Sequence, residues 1–438
     1  MTATAAPARR RPISQTARRA VVTTPAAIRV LMMSLVLLSL TWGAFGGWAA
    51  NEHSSGASAV VAVDEPLSLD ARQMYESLAD ADVTITTAFL ASAQPPLRLL
   101  QRYQADIATA SADLAKLRTG GGNESPYSAL SSGLPRYTGY VADAESQYSL
   151  GYPLTGGSFM QVASEEAHLV LLPAAKAVFT QENAALTAAS SQATGLPTMI
   201  VALVIALIAG VALYRAQRWL TRRTNRVFSA GLMLASALLA ISAVWIAAAF
   251  GVARSDLDRG IGQGSQPAET LAQASISVQQ IRGDAVLNVI SRSGDASFQQ
   301  DFVATSKLVG PGNNTLLTSA DAASTGSRQA ASLVAAAERE ATAWYAANSG
   351  VYRLGVAANY GAERNMVIGT GSGSSAAGYA ALENDITQAI NDDQAVFRSA
   401  ATAGANVLNP LEPVVIAASL LMAVACVWGF SRRLAEYR

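Results

Sequence analysis

The chain has 438 residues, 51% of them hydrophobic and only 14% charged, and its 31 Lys+Arg balance 31 Asp+Glu to a net charge of zero. A soluble domain carries about 25% charged residues, so an ordinary soluble enzyme does not fit. One cysteine (Cys426) excludes an internal disulfide and a cysteine-built metal cluster, and two distant histidines (His53, His168) argue against a histidine-ligated site.

A basic tail, 1–27, with Arg9, Arg10, Arg11, Arg18 and Arg19 and no acid, leads into the first of four apolar stretches: 28–50, 197–214, 227–252 and 413–430. The shorter ones, of 18 residues, reach about 27 Å as helices, near the hydrocarbon thickness of a bilayer. All four are read as transmembrane helices. The first has too long a leader and too long an apolar run for a signal peptide, so it is read as retained, although Trp48-Ala49-Ala50-Asn51 has something of a cleavage site. Trp48, Tyr214, Trp219, Trp428 and Phe430 lie near the span ends, as interfacial anchors do. Gly43 and Gly47 form a GxxxG pair suited to close helix packing, a pattern that small-residue bias alone also produces.

Charge sets the orientation. Residues 1–29, the connector 215–226 and the tail 431–438 together hold 14 basic residues and one acidic, whereas 51–196 and 253–412 hold 17 basic and 30 acidic. By the positive-inside rule the tails and connector are cytoplasmic and both long segments extracytoplasmic. A compact domain needs about 50 residues in one piece, more than any cytoplasmic piece offers, so catalysis inside is not expected.

The long segments read as helical bundles. Apolar residues recur at helical spacing, as in Leu78, Ala81, Ile85, Phe89 and in Ile276, Ile281, Val286, Val289. Pro95-Pro96, Gly120-Gly121-Gly122 and Gly310-Pro311-Gly312 break the helices. The two halves also resemble each other: Arg29-Val30 and Arg226-Val227 each open a membrane helix, Leu78–Ile85 matches Leu271–Val278 at an interval of 193, and Tyr148–Gly151 matches Tyr352–Gly355 at 204. The expected fold is an all-α membrane protein with four transmembrane helices and two extracytoplasmic helical-bundle domains, a tandem duplication of helix–bundle–helix.

Catalytic, metal and cofactor motifs are not found. Gly369–Ser375 lacks the lysine of a phosphate-binding loop and reads as an interhelical loop. Asn391-Asp392-Asp393 and Gln181-Glu182-Asn183 lack EF-hand spacing and read as acidic helix surface. His168, after Glu165-Glu166, reads as a solvated or capping residue. The span interiors carry hydroxyls but no ionisable side chain, which argues against an ion-coupled transporter. The connector residues Arg215, Arg218, Trp219, Arg222 and Arg223 suit either anionic membrane lipids or a cytoplasmic partner; no nucleic-acid partner is expected.

Four membrane helices, two helical domains of similar size and the basic connector together resemble the actinobacterial GlnX-type membrane proteins in layout and composition. That resemblance implies a sensor or adaptor coupling an extracytoplasmic amino-acid-binding lipoprotein to the cytoplasmic serine/threonine protein kinase G, and it carries over no functional residue. A transporter or permease component, or a structural envelope-assembly protein, is the alternative reading.

Overall fold

The computed structural model describes residues 24–91, 95–120, 123–193, 195–224, 230–291, 296–369 and 371–435. Every regular element among them is a helix: α1 Thr24–Ala59, π1 Val60–Asp64, α2 Glu65–Ala91, α3 Leu97–Leu117, α4 Glu124–Ser149, α5 Pro153–Glu166, π2 Ala167–Leu171, α6 Leu172–Ala193, α7 Leu196–Thr224, α8 Ala230–Gly260, π3 Ile261–Ser265, α9 Gln266–Ser291, α10 Ala296–Val309, α11 Leu316–Ala323, α12 Arg328–Val356, α13 Tyr360–Ile368, α14 Ser375–Leu408 and α15 Leu411–Ala435. The expected breakers act where the backbone leaves the helix. Pro96, in an extended conformation, precedes α3; Gly310-Pro311-Gly312 follows α10. Asn123, Ser327 and Asn359 accept from an amide in the first turn of α4, α12 and α13, and Thr315 and Thr318 form a capping box on α11.

Four helical runs are long and apolar enough to cross a membrane, lying within Ile28–Ala91, Ile200–Arg222, Ala230–Val289 and Ser375–Ser431. A multi-pass membrane protein follows from their length and composition. The helices overrun the apolar stretches. In particular, residues 215–224 are not a loop, because α7 continues through them to Thr224; Arg226 lies outside the described residues, as do the arginines of 1–23.

The chain divides into two compact units. The span unit takes Met1–Gly56, Ala193–Arg254 and Gly404–Arg438; the head unit takes Ala57–Gln192 and Ser255–Ala403. In the span unit Leu35, Trp42, Leu213, Leu239, Met422 and Phe430 belong to one apolar cluster drawn from α1, α7, α8 and α15. Trp42 Nε1 donates to Ser242 Oγ at 3.2 Å, joining α1 to α8. Gly43 and Gly47 face Ser419 and Ile416 of α15; a Cβ on Gly43 would collide with the Ser419 side chain, and one on Gly47 would lie 3.2 Å from Ile416. Gly251 has nothing within 4 Å of its Cβ position. Gly43→Leu is therefore expected to cost about 1–3 kcal/mol through overpacking and Gly251→Leu nearly nothing, read as melting temperature in detergent.

The head unit has one principal core, not one per segment. Met74, Tyr137 and Phe179 of the first segment cluster with Leu271, Trp344 and Ile386 of the second. Within the first, α2 packs on α3 and α4 on α5; α2 also packs on α9 of the second. The apolar faces read from sequence are inside: Leu78, Ala81, Ile85, Phe89, Ile276, Ile281, Val286 and Val289 are all buried.

Corresponding features recur about 200 residues apart. π1 and π3 begin 201 residues apart, and α2 and α9 end 200 apart. The sequence match at 193 is displaced from this register by seven residues, which is two helical turns and so leaves the pattern of buried positions unchanged. The turns after α4 and α12 also correspond. Gly151 (φ 83°) donates its amide to Tyr148 O and Tyr152 to Gln147 O; Ala358 (φ 52°) donates to Gly355 O and Asn359 to Leu354 O. Both are Schellman-type ends, but the second puts an alanine in the left-handed region. Ala358→Gly is expected to stabilise the head unit by about 1 kcal/mol, measurable by thermal unfolding.

Candidate functional site

Helix α2 places Glu65, Ser68, Arg72, Glu76 and Asp80 at intervals of three and four, hence on one face. Most of this polar stripe is turned inward, with Glu76 and Asp80 only partly exposed. Glu65, Ser68 and Arg72 are each under 9% exposed, and Asp82, further along, is 2% exposed. Burying so many charges is costly unless each is paired, and partners come from four other helices. Arg398 Nε of α14 donates to Glu65 Oε1 at 2.7 Å. Ser68 Oγ donates to Asn183 Oδ1 of α6 at 2.6 Å. Arg72 Nη1 donates to Glu76 Oε1 at 2.8 Å. Asp80 accepts from Arg282 Nη1 of α9 at 3.2 Å and from Arg102 Nη2 of α3 at 3.0 Å, while the Arg282 guanidinium lies 4.0 Å from the centre of the Tyr379 ring.

The second segment supplies Glu383, whose Oε1 accepts from Ser275 Oγ at 2.7 Å and Gln279 Nε2 at 3.4 Å. Burial, then the neighbouring Glu76 charge, push its carboxyl up to about 7. Glu76 itself is raised, by burial first and by Asp80, against the pull of Arg72.

The inner end of the seam is an Asp–His–Asp arrangement. His168 Nε2 is 3.4 Å from Asp82 Oδ2, and its Nδ1 is 3.6 Å from Asp284 Oδ1. Ser164 Oγ also donates to Asp82 at 2.8 Å. A neutral imidazole can donate from only one nitrogen, so two facing carboxylates favour the imidazolium. Burial lowers its pKa, but the bond to Asp82 and the charges of Asp82 and Asp284 outweigh that and leave it raised. His168 is thus an enclosed side chain that bridges the two segments between Asp82 and Asp284, not a solvated residue. Gly283 makes room for it; a Cβ there would stand 2.7 Å from the ring.

Two other groups read as acidic surface are also inside. Asp393 is 0% exposed, accepts from Ser324 Oγ at 2.9 Å, and is pushed up to about 6, chiefly by burial. Glu182 accepts from Tyr127 Oη at 2.8 Å. The Gly369–Ser375 stretch is a helix connection, with Gly373 at φ 91° and Ser374 Oγ donating to Gly369 O at 2.6 Å; Thr370 lies outside the described residues. Among the described residues no group of three or more His, Cys, Asp or Glu is disposed to hold a metal ion.

Of the connector residues, Arg215, Arg218 and Arg222 are exposed on α7 and Trp219 is partly buried against the span core; the Arg223 side chain lies outside the described residues. The residue there that bridges helices is one that sequence reading passed over, Gln217, whose Nε2 donates to Leu232 O at 3.1 Å and Ser236 Oγ at 3.0 Å.

The first-segment side of the seam lies in the part of the chain that one family model matches. Residues 56–191 match the family model described as an actinobacterial sensor domain. The match supports an actinobacterial sensor protein. It covers about a third of the chain and runs from the end of α1 through most of α6, taking in the whole α2 stripe, Asp82 and His168. No curated protein and no solved structure matches the chain. The sensor-domain match stops before α7, so the second segment, which supplies Arg282, Asp284, Glu383 and Arg398, enters the seam from outside the matched region.

Proposed function

We propose that this protein is a transmembrane sensor or adaptor, not an enzyme, with the head unit outside the cell and both termini inside. It relays a signal of amino-acid availability, brought by an extracytoplasmic solute-binding lipoprotein, to a cytoplasmic serine/threonine kinase. The observation that carries the reading is the sensor-domain match over a segment whose helices are continuous in sequence with the membrane spans: helical backbone runs from Ile28 to Ala91 and from Ala230 to Val289. The charge asymmetry supports the orientation, and the exposed Arg215, Arg218 and Arg222 support a docking role for the cytoplasmic end of α7.

We further read the chain as a duplicated helix–bundle–helix, a covalent counterpart of a receptor dimer. The 201-residue interval between π1 and π3 supports this, as does the contact of Trp42 with Ser242, 200 residues apart. A partner that prefers one of two packings of the helices by about 1.4 kcal/mol changes their ratio tenfold. In-cell crosslinking from Leu154 on the head unit and from Arg218 on α7, followed by mass spectrometry, tests the relay. A solute-binding protein captured from the first position and a kinase from the second are the expected results; transport subunits at both, or capture of neither class, would refute it.

A further inference from the structure

Helix α7 presents two different faces. Ala209, Leu213, Ala216 and Leu220 belong to the apolar core of the span unit. Val204, Ile208, Val211, Arg215, Arg218 and Arg222 are all exposed and, at about 100° per residue, fall within about 80° of arc on the other side. A stripe that is apolar through the span thus becomes cationic at its end without a change of face. Gln217 fixes that face, because its Nε2 donates to Leu232 O at 3.1 Å and to Ser236 Oγ at 3.0 Å, tying this turn of α7 to α8. No Asp or Glu occurs from Leu196 to Thr224. Among the described residues no carboxylate pairs with the three arginines, and Arg218 Nη1 reaches Tyr214 Oη at 3.4 Å.

We propose that this end of α7 binds the headgroups of anionic phospholipids. The exposed apolar part of the stripe is where acyl chains meet a spanning helix, so a phospholipid with its tails along Val204, Ile208 and Val211 has its phosphate beside Tyr214 and the arginines. From Arg215 to Arg222 the helix advances about 10 Å, against about 5–8 Å for one polar headgroup layer, so the three guanidinium groups cover its whole depth. Each guanidinium holds its donors in a planar fork that meets two phosphate oxygens at once, and the exposed Tyr214 ring is of the kind that settles at this depth. A basic residue beside an anionic surface gains about fivefold in binding, so three on one face, when their effects add, favour anionic over zwitterionic lipid by on the order of a hundredfold. The relay reading above supplies only the leaflet, the cytoplasmic one; the stripe itself does not depend on it. A protein that docks on this end of α7 must then bind beside the arginines or displace lipid from them.

The test places the full-length protein in mixed phosphatidylcholine–phosphatidylglycerol vesicles in which one lipid or the other carries a photoactivatable group next to its phosphate, and maps the labelled peptides by mass spectrometry. The phosphatidylglycerol probe is expected to label α7 about tenfold or more above the phosphatidylcholine probe. Arg215→Gln, Arg218→Gln and Arg222→Gln made together should bring that ratio close to one with the melting temperature unchanged, since all three side chains are exposed. Changing Arg98, Arg353 and Arg364 to glutamine, which removes the same charge from exposed positions of the head unit, should leave the ratio as it was, and so should inorganic phosphate in excess. Equal labelling by both probes in the unmodified protein, a ratio that survives the α7 substitutions, or its suppression by phosphate would each overturn the proposal; the second result would assign the arginines to a protein partner and the third to a soluble anion. No other protein takes part in this measurement, so its failure is distinguishable from failure of the crosslinking test above.

Discussion

Replacing His168 by leucine is expected to destabilise the head unit by about 3 kcal/mol or more at pH 5.5. Removing one partner from a buried charged set leaves the others uncompensated, at about 3–5 kcal/mol, and here the remaining pair, Asp82 and Asp284, are two carboxylates on α2 and α9 with no imidazolium between them. The sign of the pH dependence separates this from a loss of packing. A histidine whose pKa is raised on folding contributes stability in full below its unfolded value near 6.5, and loses that contribution as pH rises through the folded value. The gap between wild type and His168→Leu should therefore narrow from pH 5.5 to pH 8.5, and adding Asp82→Asn to the leucine variant should restore part of the loss. A gap independent of pH would assign His168 a purely steric role. Thermal or urea unfolding across that range checks both.

The unmodified protein is expected to be more stable at pH 5 than at pH 8, and Glu383→Gln to remove much of the difference. Glu383 rises from an ordinary carboxyl value of 4.5 to about 7 on folding. The folded state then binds more protons than the unfolded state between those values, so stability falls as pH rises through that window. At about 1.4 kcal/mol per pKa unit, this one group accounts for roughly 3 kcal/mol. Asp106 and Asp393, each pushed to about 6 chiefly by burial, act in the same direction. Glutamine keeps the oxygen that accepts from Ser275 and Gln279 while removing the charge beside Glu76, so Glu383→Gln should melt higher at pH 8 and almost unchanged at pH 4.5. A variant less stable than the parent at pH 8 would show that the charged form is needed.

These two residues mark where sequence reading stops. The spans, the helical class and the breaks at Pro96 and Gly310 follow from local patterns: runs of apolar residues, 3.6-residue periodicity, and residues that cannot continue a helix. The seam is different. Glu65, Ser68, Arg72, Glu76 and Asp80 are visible as a stripe on α2, but a stripe of charges on a helix ordinarily faces water. Its burial is decided by Arg282, Glu383 and Arg398, which lie 200 to more than 300 residues away in the chain, beyond the reach of any local period. The same holds for Asp393, Glu182 and His168, all expected at the surface and all enclosed. The shared core of the two segments was hidden for a related reason: each is long enough to support a core of its own, and nothing local says that α2 and α9 will meet. The π-helical turns left no signal in composition, and the 201-residue interval between π1 and π3 is not visible in any local pattern.

The seam also gives the head unit a mechanical character that an apolar core lacks. Buried ion pairs contribute little net stability but demand specific geometry, so displacing one helix by a fraction of a turn unpairs several groups together. Packings of the head unit that keep these groups paired are then few and discrete.

The proposed sensor topology requires the head unit to lie outside the cell and the end of α7 inside, and single-cysteine labelling reads that directly. The native Cys426 is buried among the spans, and can be replaced by alanine to clear the background. Leu154, 87% exposed, and Val356, 76% exposed, mark the head unit, and Arg218 marks α7. In intact cells a membrane-impermeant maleimide is predicted to label Leu154→Cys and Val356→Cys at once, and Arg218→Cys only after the membrane is opened. Labelling of Arg218→Cys in intact cells, with Leu154→Cys and Val356→Cys protected until permeabilisation, would contradict it.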